Sequence, residues 1–126
     1  EIKKAKYFFE DTEMVKEAYK NAPDKRVIVL EHPLAWKSVI SRKSEPLYVV
    51  HPNQMTGEWI VACVRKTPRS HENRKFLPQA WAGKRKEELE KITGVEGAES
   101  CHNKRFIATA WSREAAVKLA ELAVKA

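Results

Sequence analysis

Residues 59–64 read WIVACV, a run that is apolar at every position. It contains aromatic and β-branched residues and follows Gly57, a pattern typical of a strand that begins after a turn. Because successive side chains of a strand point to opposite faces, a strand that is apolar throughout should be covered on both sides. We therefore predict that residues 59–64 form a strand inside a sheet, with both of its faces buried.

Further strands are predicted on the N-terminal side of this run. Leu47 to His51 is a second apolar run, and the link from Pro52 to Gly57 has a length suited to a hairpin loop. Val27 to Leu30 is a short β-branched run bounded by turn formers, which indicates a third strand. On the C-terminal side, Thr67 to Pro78 is polar and basic with two prolines, and it is predicted to be a long loop.

The last third of the sequence predicts a strand, a tight turn, a strand and a helix. Ala98 to His102 and Arg105 to Ala110 are the two strands, and Asn103 with Lys104 forms the turn between them. Ser112 then begins a helix, because its hydroxyl can accept a hydrogen bond from a free amide of the first turn. The polar residues of this helix recur on one narrow stripe, so its Ala, Val and Leu side chains should lie against the sheet.

Three other segments are predicted to be helical. Lys84 to Ile92 is one, with Gly94 placed to close it, and Leu34 to Ser41 is expected to form one or two helical turns around Trp36. The first segment places one face of side chains at steps of three and four, namely Ala5, Phe8, Thr12, Val15 and Tyr19, and ends before Pro23. The prediction is an α+β fold: a mixed sheet of about five strands with antiparallel hairpins, packed against N- and C-terminal helices.

The length of 126 residues suits one core and is too short for two, so residues 1–126 are predicted to form a single domain. The chain begins at Glu1 rather than at methionine, from which we expect it to be part of a longer protein. No stretch approaches the roughly 20 apolar residues that cross a bilayer, and no membrane contact is expected. Cys63 and Cys101 lie in apolar strands, where buried reduced thiols are common, so a reducing cytoplasm is the expected compartment.

Residues that could carry catalysis are scattered along the sequence. A metal hydrolase gathers several carboxylates and imidazoles around one ion. Here His32, His51, His71 and His102 form no helical pair, and no cysteine pair has zinc spacing. Cys101 is adjacent to His102, but neighbouring strand residues point to opposite faces. We therefore predict no catalytic residue, no metal ligand and no cofactor in this chain.

Basic residues are concentrated in the middle of the chain, whose net charge is +7. From Arg65 to Lys86 there are eight basic residues against one acid, Glu72, and Trp81 lies among them. Cations for phosphates and an aromatic face for stacking are what single-stranded nucleic-acid sites combine. In the alternative interpretation, Trp81 and Leu77 anchor the loop to the core while the cations remain solvated.

The start of the last helix is a second candidate site. Free backbone amides and the positive end of the helix dipole favour phosphate at a helix N-terminus. Arg105, Thr109 and Arg113 lie close to Ser112 in the sequence and could assist. The alternative is that Ser112 only caps the helix.

A set of residues with characteristic spacing extends along most of the chain: Trp36-Lys37, Trp59, Cys63, Leu77, Pro78, Trp81, Gly83, Arg85, Gly94, Gly97, His102, Phe106, Ile107, Arg113 and Glu114. This set resembles the C-terminal region of the exonuclease family named after the melanocyte proliferating gene. The resemblance implies a protein of the DHH phosphoesterase superfamily, in which an N-terminal domain with Asp and His motifs binds divalent metal, expected to be manganese. It also implies 3′ to 5′ RNA exonuclease activity, with the smaller C-terminal domain helping to hold the substrate.

One segment departs from the pattern of that family. Residues 106–111 read FIATAW, where relatives with the fuller motif carry paired glycines and a histidine before the last helix. Side chains bulkier than glycine should hinder close approach of a phosphate to main-chain amides.

From the resemblance, the basic segment and the start of the last helix we expect seven contacts to substrate: Arg74, Trp81, Arg85, His102, Thr109, Ser112 and Arg113. The expected partners are the protein's own N-terminal catalytic domain and RNA or nucleotides, and hydrolysis is assigned to residues outside this chain. The competing hypothesis is an interaction domain that docks on the catalytic domain or forms a homodimer and makes no contact with nucleic acid.

Overall fold

A computed structural model describes the backbone of residues 2–126 and the side chains from Glu10 onward. The helices are α1 (Ile2–Asn21), α2 (Lys37–Ile40), α3 (Lys86–Thr93) and α4 (Arg113–Lys125), and Gln79–Trp81 form a single 3-10 turn. The strands are β1 (Val27–Val29), β2 (Tyr48–Pro52), β3 (Trp59–Cys63), β4 (Ala98–Cys101) and β5 (Ile107–Ala110). Within residues 2–126, no helix has the length and apolar composition that crossing a bilayer requires.

The strands form one mixed sheet in the order β1-β2-β3-β5-β4. β1 and β2 are parallel and are joined by the crossover that contains α2, whereas the other neighbours are antiparallel. β3 is the middle strand, since Val61 pairs with Val50 on one side and with Ala108 on the other. The predicted α+β fold, with a five-stranded mixed sheet and helices at both ends of the chain, is confirmed.

Local chemistry sets several element boundaries as predicted. α1 ends at Asn21, two residues before Pro23. Gly94 closes α3 with a left-handed backbone (φ 71°), a conformation that glycine adopts without strain. The Ser112 hydroxyl begins α4 by accepting a hydrogen bond of 3.1 Å from the amide of Ala115.

One face of the sheet packs against α4. Tyr48, Val61 and Ala108 from the strands share a buried cluster with Leu119 from the helix. Four small residues of α4 are buried beside Leu119, namely Ala115, Ala116, Ala120 and Ala123. Small side chains let the helix lie close to the strands, and the removal of this apolar surface from water is the main stabilising contribution.

The opposite face of the sheet is covered by α1 and α2. Val15 of α1 joins Trp36 and Ile28 in a second buried cluster. Val15 belongs to the predicted apolar stripe of α1, which is confirmed at this residue. The predictions for Ala5 and Phe8 concern side chains that lie outside the described residues.

This coverage stops before the middle of the sheet, because α1 packs on α2 and on β1, at one edge. On β3, Ile60 and Ala62 are only half-buried, as are Ile107 and Thr109 on β5. The prediction that residues 59–64 are buried on both faces is therefore wrong for Ile60 and Ala62. We name this exposed area the open sheet face; its residues are His51, Ile60, Ala62, Ser100, Ile107 and Thr109.

Replacing Leu119 by alanine should destabilise the protein strongly, because Leu119 is fully buried between α4 and the sheet. Large-to-small changes at such sites lower the free energy of unfolding by about 2–5 kcal/mol. Urea unfolding monitored by circular dichroism measures this loss. The matched control is Leu122→Ala on the same helix, where the side chain is 38% exposed and the expected loss is below about 1 kcal/mol. Equal losses in the two variants would contradict the described packing of α4.

Candidate functional site

Two concavities lie side by side on the open sheet face and share Ile107 in their walls. The larger one has a volume of about 620 Å³, lies over β3 and β5, and has Trp36, His51 and Phe106 in its walls. The smaller one has a volume of about 310 Å³ and lies over β4 and β5, next to Arg85. We name them the large cavity and the β4 groove.

The charged side chains around the two concavities have one sign. Lys37, Arg65 and Lys104 border the large cavity, and Arg85 borders the β4 groove. None of the described residues that line either concavity is Asp or Glu. These basic side chains create a positive local potential, which Glu99 beside Arg85 reduces at the β4 groove, and such a potential attracts anions and polyanions.

Arg85 enlarges the open sheet face beyond its last strand. Its backbone forms an isolated antiparallel bridge with Ser100 of β4, so Arg85 occupies the position of a further strand. The side chain is 69% exposed, and its Nη2 lies 3.8 Å from Oε2 of Glu99. At 3.8 Å the two groups form no hydrogen bond, so the guanidinium keeps donors open to another anion, although the Glu99 side chain beside it is only 12% exposed.

Thr109 and His102 also line the β4 groove, so three of the seven predicted site residues meet there. The hydroxyls of Thr109 and Ser100 lie 2.7 Å apart and share a hydrogen bond. The Nδ1 atom of His102 accepts a hydrogen bond of 3.0 Å from the amide of Lys104, and the His102 ring lies 4.7 Å from that of Phe106. The groove therefore offers hydroxyls, an imidazole and a guanidinium side by side.

Ser112 and Arg113 line neither concavity. The Ser112 hydroxyl is occupied as the cap of α4. The guanidinium of Arg113 forms an ion pair with Glu31, with an Nη2 to Oε2 distance of 2.8 Å, and so ties the start of α4 to the segment after β1. The geometry favours the alternative interpretation, in which this helix start is an ordinary capped terminus.

Arg74 and Trp81 hold the long basic loop in place. The Arg74 guanidinium donates hydrogen bonds to the backbone carbonyls of Ser41 (3.0 Å) and Pro46 (2.8 Å), and burial lowers its pKa. Trp81 is 5% exposed and packs in the cluster under α4 together with Leu77. With its ring buried, Trp81 presents almost no surface for a base to stack on. These contacts favour the interpretation in which the loop is anchored to the core.

Replacing Arg74 by alanine should lower stability, because two backbone carbonyls lose a charged donor. We expect a loss of about 1–3 kcal/mol in the free energy of unfolding, measured by urea denaturation. Arg69→Ala is the matched control, since Arg69 lies in the same loop and is exposed. Unchanged stability combined with weaker RNA binding would instead identify Arg74 as a substrate contact.

Several residues of the concavities were not selected from the sequence as site residues. Lys37 lies in α2 and belongs to the set that carries the family resemblance, and Lys104 lies in the predicted β4–β5 turn, but neither pattern indicates a contact to a ligand. Arg65 belongs to the basic segment, as Arg74 does. Only the tertiary structure shows that Arg65 borders the large cavity whereas Arg74 is anchored to backbone carbonyls. His51 was considered only as a metal ligand. The hydroxyl of Thr109, between the apolar Ala108 and Ala110, is a local sign that this face is open.

The structure shows on which side of the sheet the residues at 106–111, which depart from the family pattern, are placed. Ala108 and Ala110 are 1% and 0% exposed and face α4, so their methyl groups lie away from the open sheet face. Thr109 is on the open face, whereas Trp111 is exposed beyond the strand and its indole N–H donates to Glu99 (2.7 Å). The side chain of Thr109, rather than the two alanines, therefore limits how closely a ligand can approach this strand.

His51 stands at the wall of the large cavity, with its ring centroid 6.4 Å from that of Trp36. Its Nδ1 lies 3.3 Å from the carbonyl oxygen of Pro52. A carbonyl can only accept, so Nδ1 carries the proton and Nε2 keeps its lone pair. Burial lowers the pKa of His51 below its ordinary value of 6.5, and the charge of Lys37 lowers it further. The imidazole is therefore neutral at pH 7.

The lowered pKa of His51 predicts a loss of stability at acid pH. Below the ordinary value of 6.5 the unfolded chain binds a proton more readily than the folded chain does. The stability that depends on neutral His51 is complete above that pH and is lost as pH falls through the folded-state pKa. Urea unfolding at about pH 7.5 and about pH 5 should show a smaller loss for His51→Gln than for the unaltered chain. His32→Gln, at an exposed position, is the control, and equal losses in all three proteins would contradict the assignment.

The two cysteines are free and buried and belong to the cluster under α4, while Cys63 also contributes to a wall of the large cavity and Cys101 to a wall of the β4 groove. Burial raises the pKa of Cys63 to about 12 and that of Cys101 to about 11, so neither thiol ionises to a nucleophilic thiolate at neutral pH. Among the described residues, no three His, Cys, Asp or Glu side chains gather into a set that could hold a metal ion.

The sequence of this chain is similar to those of several known proteins. The model of a family described as "Uncharacterised protein family (UPF0160)" matches residues 1–124. A protein named MYG1 exonuclease from Mus musculus is 34% identical over 90 residues, covering 71% of this chain and 23% of that protein. The Homo sapiens MYG1 exonuclease is 33% identical over 90 residues, covering 71% and 24%.

A protein named MYG1 protein from Dictyostelium discoideum is 33% identical over 100 residues, covering 75% of this chain and 30% of that protein. The matched region thus spans about a quarter of the length of the mammalian relatives. No solved structure matches the chain.

Proposed function

This chain belongs to the protein family UPF0160, and we propose that within it the chain is the C-terminal, substrate-handling part of a metal-dependent 3′ to 5′ exonuclease. The names of the mouse and human relatives support a nuclease, and the quarter of their length that is matched supports a part of one. The proposed role of this part is to bind single-stranded RNA and to close over it together with a catalytic domain.

The observation that carries this proposal is the open sheet face, which combines apolar with uncharged polar side chains and is bordered by cations without a described carboxylate in the walls of its concavities. A single strand of RNA presents bases, which bury apolar surface by stacking, and phosphates, which bind Lys and Arg. Phe106 is 42% exposed and Phe76 is 45% exposed beside the large cavity, so aromatic rings remain accessible although Trp81 is buried. Arg85 and Thr109 at the β4 groove would continue the contact along the strand.

Hydrolysis is assigned to a part of the protein outside this chain. A divalent ion, for which we propose manganese, would activate water in that part, in agreement with the proposed place of the family in the DHH phosphoesterase superfamily. The described residues do not fit such an ion, because their carboxylates and imidazoles do not converge. What this chain supplies is binding: cations, hydroxyls and an apolar floor on one face of a rigid sheet.

The proposed partners follow from this division of roles. The catalytic domain of the same protein would cover the open sheet face, with RNA between the two, in a reducing cytoplasm where Cys63 and Cys101 stay as thiols. Exposed Phe106 beside half-buried Ile60 and Ile107 also favours a second candidate function, an interaction surface for that domain or for a second copy of the chain.

Binding of a fluorescein-labelled single-stranded RNA to this chain, measured by anisotropy at two salt concentrations, tests the proposed function. If four cations contact phosphates, the affinity should fall roughly 50-fold between about 50 and 200 mM salt. Arg85→Ala should weaken binding at low salt and reduce the salt dependence. Lys118→Ala, on the exposed side of α4, is the matched control and should change neither.

Absent or salt-insensitive binding would contradict the RNA-binding role. If the chain at the same time self-associates in sedimentation measurements, the interaction surface is the better assignment. Arg85→Ala behaving like Lys118→Ala would place the RNA away from the β4 groove.

A further inference from the structure

We propose that the large cavity is a subsite for a single nucleotide, in which the base occupies the apolar interior, His51 accepts a hydrogen bond from it, and Arg65 and Lys104 hold the phosphate. This inference rests on the proposed function and makes it specific: a site for one nucleotide, either free or at the end of a strand, lies beside the groove that binds the rest of the strand.

The size and the walls of the cavity suit a nucleobase. Its volume of about 620 Å³ lies within the range of about 300–1,000 Å³ found for sites that enclose small organic ligands. Ile60 and Ala62 of β3 contribute to an apolar floor, and Trp36 and Phe106 stand at its sides. A flat aromatic base gains by leaving water for such a surface, and every base has faces that can stack on aromatic rings.

His51 gives the cavity a directional polar group. Its Nδ1 proton is directed to the carbonyl of Pro52 (3.3 Å), so Nε2 is an acceptor, and no described group donates to it. The amino and imino N–H groups of nucleobases are donors that match this acceptor. Burial keeps the imidazole neutral near pH 7, which preserves the lone pair.

The phosphate end is assigned to the exposed rim. Arg65 follows β3 and Lys104 lies in the β4–β5 turn, so the two cations reach the cavity from different segments. Neither forms an ion pair with a described carboxylate, whereas Lys66, next to Arg65, is paired with Glu72 at 2.8 Å. A dianionic phosphate would therefore not have to displace a carboxylate at either position.

Titration of the 126-residue chain with AMP, followed by calorimetry, tests this subsite. Adenosine 5′-monophosphate should bind at least about tenfold more tightly than adenosine or ribose 5-phosphate, since each of these lacks one half of the recognised groups. Ala62→Leu fills the floor of the cavity and should weaken AMP binding by about tenfold or more. Ala80→Leu adds the same volume at an exposed position and should leave AMP binding unchanged.

Three further variants test the assigned contacts. His51→Leu should weaken AMP binding, and His51→Gln, which retains an acceptor, should restore part of it. Arg65→Ala should reduce the advantage of AMP over adenosine. Displacement of AMP by a short RNA would support the same subsite and identify its occupant as the end of a strand.

The AMP-binding experiment and the RNA-binding experiment can give different results, so the subsite and the proposed function are tested separately. Salt-dependent RNA binding without AMP binding, or AMP binding that is equally strong in Ala62→Leu, overturns the nucleotide subsite and leaves the RNA-binding role in place. AMP binding that Ala62→Leu abolishes, in a chain that shows no RNA affinity, supports the subsite and overturns the wider role. Circular dichroism of each variant confirms that a loss of binding is not a loss of folding.

Discussion

The packing of α4 on one face of the sheet is the constraint on which the other features depend. Leu119 and four buried alanines bring the helix close to β2, β3 and β5, and this contact removes apolar surface of the strands from water. The helices that remain for the other face lie at one edge, where α1 packs on α2 and β1. The sheet is therefore closed on one side and half open on the other, and the candidate site occupies the open half.

The open sheet face exposes apolar side chains beside cations, and contiguous apolar patches on soluble domains generally mark binding sites. The cations around this face come from four separate segments. Lys37, Arg65, Lys104 and Arg85 belong to α2, the segment after β3, the β4–β5 turn and the segment before α3. Each is an ordinary surface residue in its own segment, and the fold places all four around one face.

The residues of the basic segment have different roles, and the degree of burial of each side chain indicates its role. Arg74 donates to two backbone carbonyls and Trp81 is almost fully buried, so both stabilise the path of the loop. Arg65 and Arg85 are exposed and border the concavities. The anchored residues thus fix the path of the loop and of the turn after it, and the exposed Arg65 and Arg85 lie on either side of that stretch in the sequence.

By itself the sequence determined the helices, the strands, the β4–β5 turn and the caps at Gly94 and Ser112, because these depend on side chains only a few positions apart. The family resemblance also singled out Arg85 and His102 of the β4 groove, and the start of the last helix singled out Thr109. Only the tertiary structure decided the strand order, the anchoring of Arg74 and Trp81, and the open half of the sheet. The apolar pattern of residues 59–64 indicates that the strand can be buried on both faces. Whether a helix lies over Ile60 and Ala62 depends on how distant segments of the chain pack.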